Sequence, residues 1–321
     1  MKSVERQPIG RTLSVIAGAA IGSVIALAAA TAPALAGGPL PYDLITPPPN
    51  VNIAILYNEV TSGSSFYTAN GTKVGDTSIV TDTPILRYVH TFGQIAGMQW
   101  GVQIIAPDTN FIGNTKLGGT DLPSNSGFAE PQLSAFIYPY SDPTQDAYFN
   151  ITYFLSPAVG AYESSASLNA SNNQMVNNLE IGFGHRLFGP PKGHRLDFEV
   201  WLDGYVYGVN NDGPAVGPFT SHEHTQPSGQ LIVYLPYYVH PSTAGYIGLS
   251  FEQTWGGKSY LTSPIGNFDT GNRIDATTIG VNAGTFIAPT VAVQASLTTD
   301  VRVRGGLKNN VIFLAQIAKV F

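Results

Sequence analysis

The chain ends with residues 311–321, VIFLAQIAKVF, and this stretch is the strongest indication of the fold. Side chains of an extended strand alternate between its two faces. One face of this stretch therefore carries Val311, Phe313, Ala315, Ile317 and Phe321. An apolar face that ends on an aromatic residue is typical of the closing strand of a transmembrane β-barrel. Lys319 is the exception on this face, and so close to the chain end its long side chain can reach the lipid headgroups.

The other end of the chain carries the features of an export signal. Basic residues come first, an apolar run follows over 13–30, and Ala34 and Ala36 form the small-x-small pattern that signal peptidase cleaves. We predict a cleaved signal peptide at 1–36, the alternative being an uncleaved inner-membrane anchor. Residues 37–50 are rich in proline, which removes N–H donors and favours extended chain, so we predict a periplasmic N-terminal linker there.

Composition excludes several classes of protein. The formal net charge is −6, and signal removal makes it more negative, so the basic footprint that nucleic acid requires is absent. After the signal no run reaches the roughly 18 apolar residues of a helical membrane span. Even so, only 11% of the residues are charged. The chain has no cysteine, which suits passage through an oxidising periplasm.

From residue 51 onward, strand-like segments alternate with connections rich in Gly, Asn, Ser, Thr and Pro. The predicted strands are 51–60, 83–92, 95–106, 128–140, 147–156, 176–187, 194–207, 230–240, 245–255, 273–288, 290–304 and 309–321. Short connections largely alternate with long ones, and outer-membrane barrels keep their short turns in the periplasm. We therefore predict, for 51–321, an all-β, transmembrane, up-and-down antiparallel β-barrel of 12 strands, within a range of about 10 to 14.

Alternation within the strands separates an apolar face from a charged one. In 194–207, for example, Leu196 and Phe198 oppose Asp197 and Glu199. A charge at the membrane midplane costs about 2–4 kcal/mol on the outer face of a barrel, so the polar faces are predicted to line a wet lumen. A soluble sandwich or lipocalin-like barrel would point the same apolar faces inward. Alternation alone does not separate the two, and the export signal, terminal aromatic, loop lengths and scarcity of charge favour the membrane barrel.

Three short motifs, in this order and spacing, resemble a known family. They are Thr83-Pro84-Ile85-Leu86-Arg87-Tyr88, Ser126-Gly127-Phe128-Ala129-Glu130-Pro131 and Leu155-Ser156-Pro157-Ala158-Val159-Gly160-Ala161-Tyr162. From about Pro47 to Phe321 the chain is similar to the "Putative MetA-pathway of phenol degradation" family of outer-membrane barrels. The resemblance implies passage of small, often aromatic or hydrophobic, compounds across the outer membrane, and it implies no catalytic residues.

Two sets of side chains fall on the inward phase of the strands. The predicted lumen-lining residues are Arg87, Phe136, Tyr138, Glu180, Arg186, Arg195, Asp197, Glu199, Trp201, Asp203, Tyr205, Tyr234, Tyr246, Glu252, Asp300 and Arg302. Charges of mixed sign order water in a narrow channel, and aromatic rings give apolar solutes a surface. The plain alternative is that these groups only stabilise the wall. Pro236, in the middle of a strand, removes a ladder donor and predicts a bulge or a local ladder break.

The predicted function is an outer-membrane channel or facilitator that passes small, hydrophobic or aromatic, solutes through a narrow lumen. One alternative is a barrel enzyme that hydrolyses lipids or esters, and another is a surface recognition protein that acts through its extracellular loops. We expect no enzyme activity or cofactor, because no G-x-S-x-G motif surrounds any serine, and no metal, because His222-Glu223-His224 is a poor metal motif in a loop. Expected partners are outer-membrane lipid, a small-molecule solute and, through the strand ending in Phe321, the barrel-assembly machinery; the expected location is the cell outer membrane.

Overall fold

The computed structural model describes residues 38–240 and 244–321. The predicted signal peptide lies outside the described residues. Twelve antiparallel strands form one closed barrel. They are β1 (Asn52–Tyr67), β2 (Ile79–Thr91), β3 (Gln99–Phe111), β4 (Gln132–Asp142), β5 (Ala147–Ser156), β6 (Val176–Phe188), β7 (Arg195–Tyr207), β8 (Ser228–His240), β9 (Gly245–Gly256), β10 (Asp275–Ala288), β11 (Val291–Arg304) and β12 (Gly306–Val320).

Neighbours in sequence are neighbours in the barrel, and β1 closes the cylinder by pairing with β12 from Ile53–Val320 to Tyr67–Gly306. The predicted fold class and the strand number are therefore confirmed. Within the described part of the chain, no helix is long and apolar enough to cross a bilayer.

Several strand boundaries differ from the prediction, and three of the differences have a local reason. β1 continues to Tyr67, because β12 pairs with it along this extra length. β3 begins four residues late, since Ala96 and Gly97 adopt positive φ angles of 50° and 81° and turn the chain. β4 begins after Pro131, whose missing N–H cannot join a ladder.

The connections alternate in length around the barrel. The short connections 92–98, 143–146, 189–194, 241–244 and 289–290 all join strands at one end, and we call it the periplasmic end. The other end carries long connections at 68–78, 112–131, 157–175, 208–227 and 257–274, and Gly305 alone between β11 and β12. The long connections contain short strands of their own: Lys73–Val74, Lys116–Leu117, Thr120–Asp121, Ser124–Asn125, Gly127–Phe128, Leu168–Asn169, Val209–Val216, Phe219–Thr225, Ser259–Ser263 and Gly266–Asp269.

The barrel turns its apolar faces outward and its polar faces inward. On β9, Leu249 is 60% exposed on the outside, whereas Tyr246 is buried inside. Such exposed residues recur around the whole wall, and an apolar surface of this extent marks contact with lipid. The soluble alternative would have placed these side chains in a dry interior. Lys319 stays on the outer face, where its Nζ lies 5.0 Å from the ring centre of Phe321.

The proline-rich lead-in lies partly inside the barrel, where an extended linker was predicted. Residues 38–47, which we call the plug segment, include a 3-10 helix at Pro41–Leu44. Leu44 is only 1% exposed and fits against glycines of β6; a Cβ added at Gly184 would overlap it. The Tyr42 hydroxyl donates to the Ala244 carbonyl at 2.7 Å. Proline content indicates extended chain, but Leu40, Tyr42 and Leu44 need burial, and the lumen provides it.

The loop strands build a second layer at the end opposite the periplasm. Val209–Val216, Phe219–Thr225, Ser259–Ser263 and Gly266–Asp269 form a four-stranded antiparallel sheet. Glu223 pairs across it with Leu261, and the His224 ring stacks on Tyr260 with centroids 4.9 Å apart. Burial raises the pKa of Glu223 to about 7. Among the described residues no cluster of three metal-ligating side chains occurs, here or elsewhere.

Replacing Leu249 with arginine tests the outward orientation. At this mid-wall, lipid-facing position the change is expected to lower the unfolding free energy in lipid by about 2–4 kcal/mol. Ile265→Arg is the matched control, because Ile265 is also well exposed, at 56%, but lies in a long loop. Urea titration of both variants in liposomes measures the difference, and equal stability of the two would contradict a lipid-facing wall.

The loop sheet is expected to loosen as pH rises. The folded pKa of Glu223 lies above that of an unfolded glutamate, about 4.3, so its stabilising effect is complete below that value and is lost as pH rises through about 7. Limited proteolysis of the loops should therefore be faster at about pH 8.5 than at about pH 5.5. Glu223→Gln should remove this pH dependence, whereas Glu163→Gln, at an exposed loop position, should keep it.

Candidate functional site in the lumen

The lumen contains a chamber between the plug segment and the wall formed by β1 to β8. Its volume is about 160 Å³. Of the residues predicted to line the lumen, the following line this chamber: Arg87, Phe136, Tyr138, Glu180, Trp201, Asp203 and Tyr205. The period-two phase of the strands brings them together, since each belongs to the inward face of its own strand.

Arg87 connects the chamber wall to the plug segment. Its Nη1 donates to Asp43 Oδ2 at 3.2 Å and to the Tyr57 hydroxyl at 2.9 Å, and its Nε donates to Gln103 Oε1 at 2.6 Å. Tyr138 adds a hydrogen bond from its hydroxyl to the Asp43 carbonyl at 3.0 Å. Asp43 therefore balances the charge of Arg87, and the two fix the plug segment in place.

The opposite wall carries two acids that form no ion pair with any described residue. Glu180 on β6 and Asp203 on β7 are direct cross-strand partners, and both are buried. Asn178 donates to Asp203 Oδ1 at 2.9 Å. Asp203 Oδ2, Asn178 Oδ1 and the indole nitrogen of Trp201 are buried and have no hydrogen-bond partner among the described residues. Buried polar atoms without partners are uncommon, and the three residues that carry these atoms also line the chamber.

Arg186, Arg195 and Asp197 lie away from the chamber, at the periplasmic end. Arg186 contacts Asp146 at 2.9 Å, and Arg195 contacts Asp197 at 3.0 Å. The Arg195 guanidinium also lies 3.8 Å from the centre of the Tyr238 ring. These charges satisfy one another, so this part of the predicted set stabilises the wall next to the turns.

Glu199, Tyr234 and Tyr246 face the lumen outside the chamber. The Tyr234 hydroxyl donates to the Pro39 carbonyl at 2.7 Å, and the ring of Tyr246 packs edge-on against Tyr42 with centroids 5.1 Å apart. Two of the three residues therefore hold the plug segment rather than line open space.

Glu252 and Asp300 are inward and hydrogen-bonded within the wall. Glu252 accepts from Gln230 at 2.7 Å, and Asp300 accepts from Thr278 at 2.7 Å. Arg302, predicted to line the lumen, points outward instead, because β11 changes register between its pairs with Thr277 and Thr278. This irregularity adds one residue, reverses the phase of the strand, and pairs Arg302 with Asp275 at 3.3 Å.

In two pairs of neighbouring strands, residues beside a proline have no cross-strand partner. Between β7 and β8, pairing stops after Leu196–Tyr237 and resumes at Glu199–Tyr234, with Pro236 in the gap and no change of register. The strand therefore passes the proline without the predicted bulge there. A similar gap between β2 and β3 includes Pro84. Both gaps follow from the missing N–H of proline.

Sequence reasoning missed two groups of chamber residues. The plug segment contributes Asp43 and Tyr42, and the signal for it was the apolar and aromatic residues inside the proline-rich stretch. The wall contributes neutral polar side chains: Asn150, Thr152, Asn178 and Gln230. These share the inward phase, but a neutral amide or hydroxyl gives no sequence signal beyond that alternation.

Solved structures of outer-membrane barrels are similar to this chain. The COG4313 outer membrane channel from Pseudomonas putida F1 is 21% identical, with a TM-score of 0.75 over 88% of this chain and 100% of that one. The transport unit of the autotransporter AIDA-I from Escherichia coli is 10% identical, with a TM-score of 0.51 over 95% of this chain and 99% of that one. At these identities the likeness establishes the fold. The search of curated proteins finds no match.

A family model covers most of the barrel and agrees with the motifs quoted above. The model described as "Putative MetA-pathway of phenol degradation" matches residues 63–315, which run from β1 to β12. The chain therefore belongs to the "Putative MetA-pathway of phenol degradation" family.

Proposed function

We propose that this protein is an outer-membrane channel that passes small, hydrophobic or aromatic, solutes through its narrow lumen. The observation that carries the proposal is the chamber of about 160 Å³, with aromatic rings and a few polar groups on its wall, inside a barrel whose outer surface is apolar. Sites for small apolar ligands combine such surfaces with a few orienting groups. The solved barrel with the higher TM-score, from Pseudomonas putida F1, is itself described as an outer membrane channel.

The plug segment determines whether the lumen is open to the periplasm. It occupies the periplasmic half of the lumen, where Arg87, Tyr138 and Tyr234 bind it. A solute that enters the chamber from outside therefore meets the plug segment before it can reach the periplasm. Passage requires displacement of this segment, and the wall contacts decide how often that occurs.

Catalysis finds less support than transport. A hydrolase of the barrel-wall type needs a base beside its serine, and none of the described residues that line the chamber is a histidine. His185 lies on the exposed outer face of β6. The four-stranded loop sheet is the feature that favours a recognition function, because it gives the extracellular side an ordered surface.

The remaining expectations belong to the same proposal. Export by a cleaved signal peptide at 1–36 leaves a mature chain with the plug segment near its start. The outward aromatic at Phe321, on the strand that closes the barrel, is proposed as the feature by which the barrel-assembly machinery recognises the chain. Outer-membrane lipid covers the apolar belt.

Narrowing the chamber should slow solute passage. Thr152 is buried on the inner face of β5 and lines the chamber, so Thr152→Trp is expected to fill part of it. Tyr153→Trp, at the next residue, is the matched control because Tyr153 faces outward. Uptake of phenol and benzyl alcohol into proteoliposomes should fall severalfold in the first variant and stay unchanged in the second.

Heat-modified mobility in SDS gels establishes that both tryptophan variants are folded barrels. Equal uptake by two folded variants, or uptake no faster than in protein-free liposomes, would contradict passage through this lumen.

Releasing the plug segment should open the lumen. Arg87→Gln removes the guanidinium that binds Asp43, so the plug segment should leave its seat more often. Planar-bilayer recordings should then show larger and more frequent conductance steps than wild type. Arg186→Gln is the control, because Arg186 binds Asp146 at the periplasmic turns rather than the plug segment.

Deletion of residues 38–45 should give the same open phenotype as Arg87→Gln, or a stronger one. Conductance that is unchanged in both variants would show that the plug segment is not the barrier.

A further inference from the structure

The charges that line the chamber do not balance. Its cation is Arg87, which pairs with Asp43 of the plug segment at 3.2 Å. Glu130 is also satisfied, because the backbone N–H groups of Asn172 and Asn173 donate to its Oε1 at 2.7 and 2.9 Å. Glu180 and Asp203 are the remaining acids of the chamber, and they face each other across β6 and β7. Like charges directly opposite each other destabilise a sheet.

Neutral groups beside this acid pair also lack partners. Asn178 Oδ1 is a buried acceptor, and the Trp201 indole N–H is a buried donor, on a side chain that is 2% exposed. Asp203, at 4% exposure, keeps Oδ2 free although Oδ1 binds Asn178. The residues that carry these atoms all line the chamber, so unpartnered acceptors and one unpartnered donor lie in its wall, independently of the charge count.

An ammonium group matches the unpartnered acceptors, Asp203 Oδ2 and Asn178 Oδ1, better than a hydroxyl does. It supplies three donors and a positive charge, whereas a hydroxyl supplies one donor and no charge, and a carboxylate would be repelled. A cation also gains from the face of a nearby aromatic ring, and Trp201 and Phe154 line the same chamber. The volume of about 160 Å³ suits one ring, since a cavity of about 150 Å³ is known to hold benzene.

We propose that the chamber is a binding site for a primary ammonium group carried on a single aromatic ring, with Asp203 and Glu180 as the counter-ions and Asn178 as a further acceptor. This inference rests on the proposed channel function and names a solute class for it. Aromatic amines would bind in the chamber, neutral aromatic solutes would pass with weaker binding, and aromatic carboxylates would be excluded.

Three probes of nearly equal shape test the proposal: 2-phenylethylamine, 2-phenylethanol and phenylacetate. Calorimetry on the full detergent-solubilised chain should show the amine binding at least about tenfold more tightly than the alcohol, and the carboxylate not binding. Asp203→Asn keeps the shape and removes the charge, so it should abolish the preference; Glu180→Gln should weaken it. Asp121→Asn, at a loop acid with a 71% exposed side chain, is the matched control and should change nothing.

Equal affinity for amine and alcohol, or full amine affinity in folded Asp203→Asn and Glu180→Gln barrels, would overturn the proposal. Proteoliposome uptake of 2-phenylethanol separates this failure from failure of the channel function. If the alcohol crosses but the amine has no preference, the channel stands and the amine site falls. If no probe crosses or binds, both fall.

Discussion

The structure depends on one constraint: hydrocarbon offers no hydrogen bonds, so a sheet that crosses a membrane must close on itself. The ladder between β1 and β12, from Ile53–Val320 to Tyr67–Gly306, meets that requirement. Closure then fixes the direction of every side chain, because each strand must present one face to lipid and the other to an enclosed space. The apolar stripe of each strand faces outward, and charged residues such as Glu180 and Asp203 have only the lumen to enter.

A lumen of twelve strands is too wide for its own side chains to fill and too narrow for a large aqueous pore. Here the plug segment fills part of the space that the wall side chains leave open. Leu44 takes the space left by the glycines of β6, and Asp43 balances Arg87. The chamber is the part of the lumen that the plug segment leaves open. Its size and its charge are therefore set jointly by the wall and by the plug segment, which is not part of the wall.

Much of this was predictable from sequence, because a period of two is a direct consequence of strand geometry. Strand number, the inward phase and the aromatic and acidic chamber residues follow from it. Arg302 was misplaced, since a bulge reverses the phase and leaves no sequence signal. The position of the plug segment could not be predicted either: its prolines indicate extended chain, and burial of Leu44 depends on the distant glycines Gly182 and Gly184. The alternation of side chains also does not separate a residue that lines the chamber from one such as Arg195, which faces inward but forms an ion pair near the turns.

The plug segment and the chamber are coupled through Arg87. While Asp43 is seated, it forms the ion pair with the Arg87 guanidinium, and Glu180 and Asp203 have no ion-pair partner among the described residues. In the open state that we propose, Arg87 would be available to pair with Glu180 across the same chamber, and the wall would supply its own counter-ion. A cation in the chamber therefore favours the seated state, and by linkage the seated state favours the cation to the same degree. Under the proposed function, a solute that the acid pair binds would also stabilise the seated plug segment, so rapid passage would belong to solutes that the chamber binds weakly.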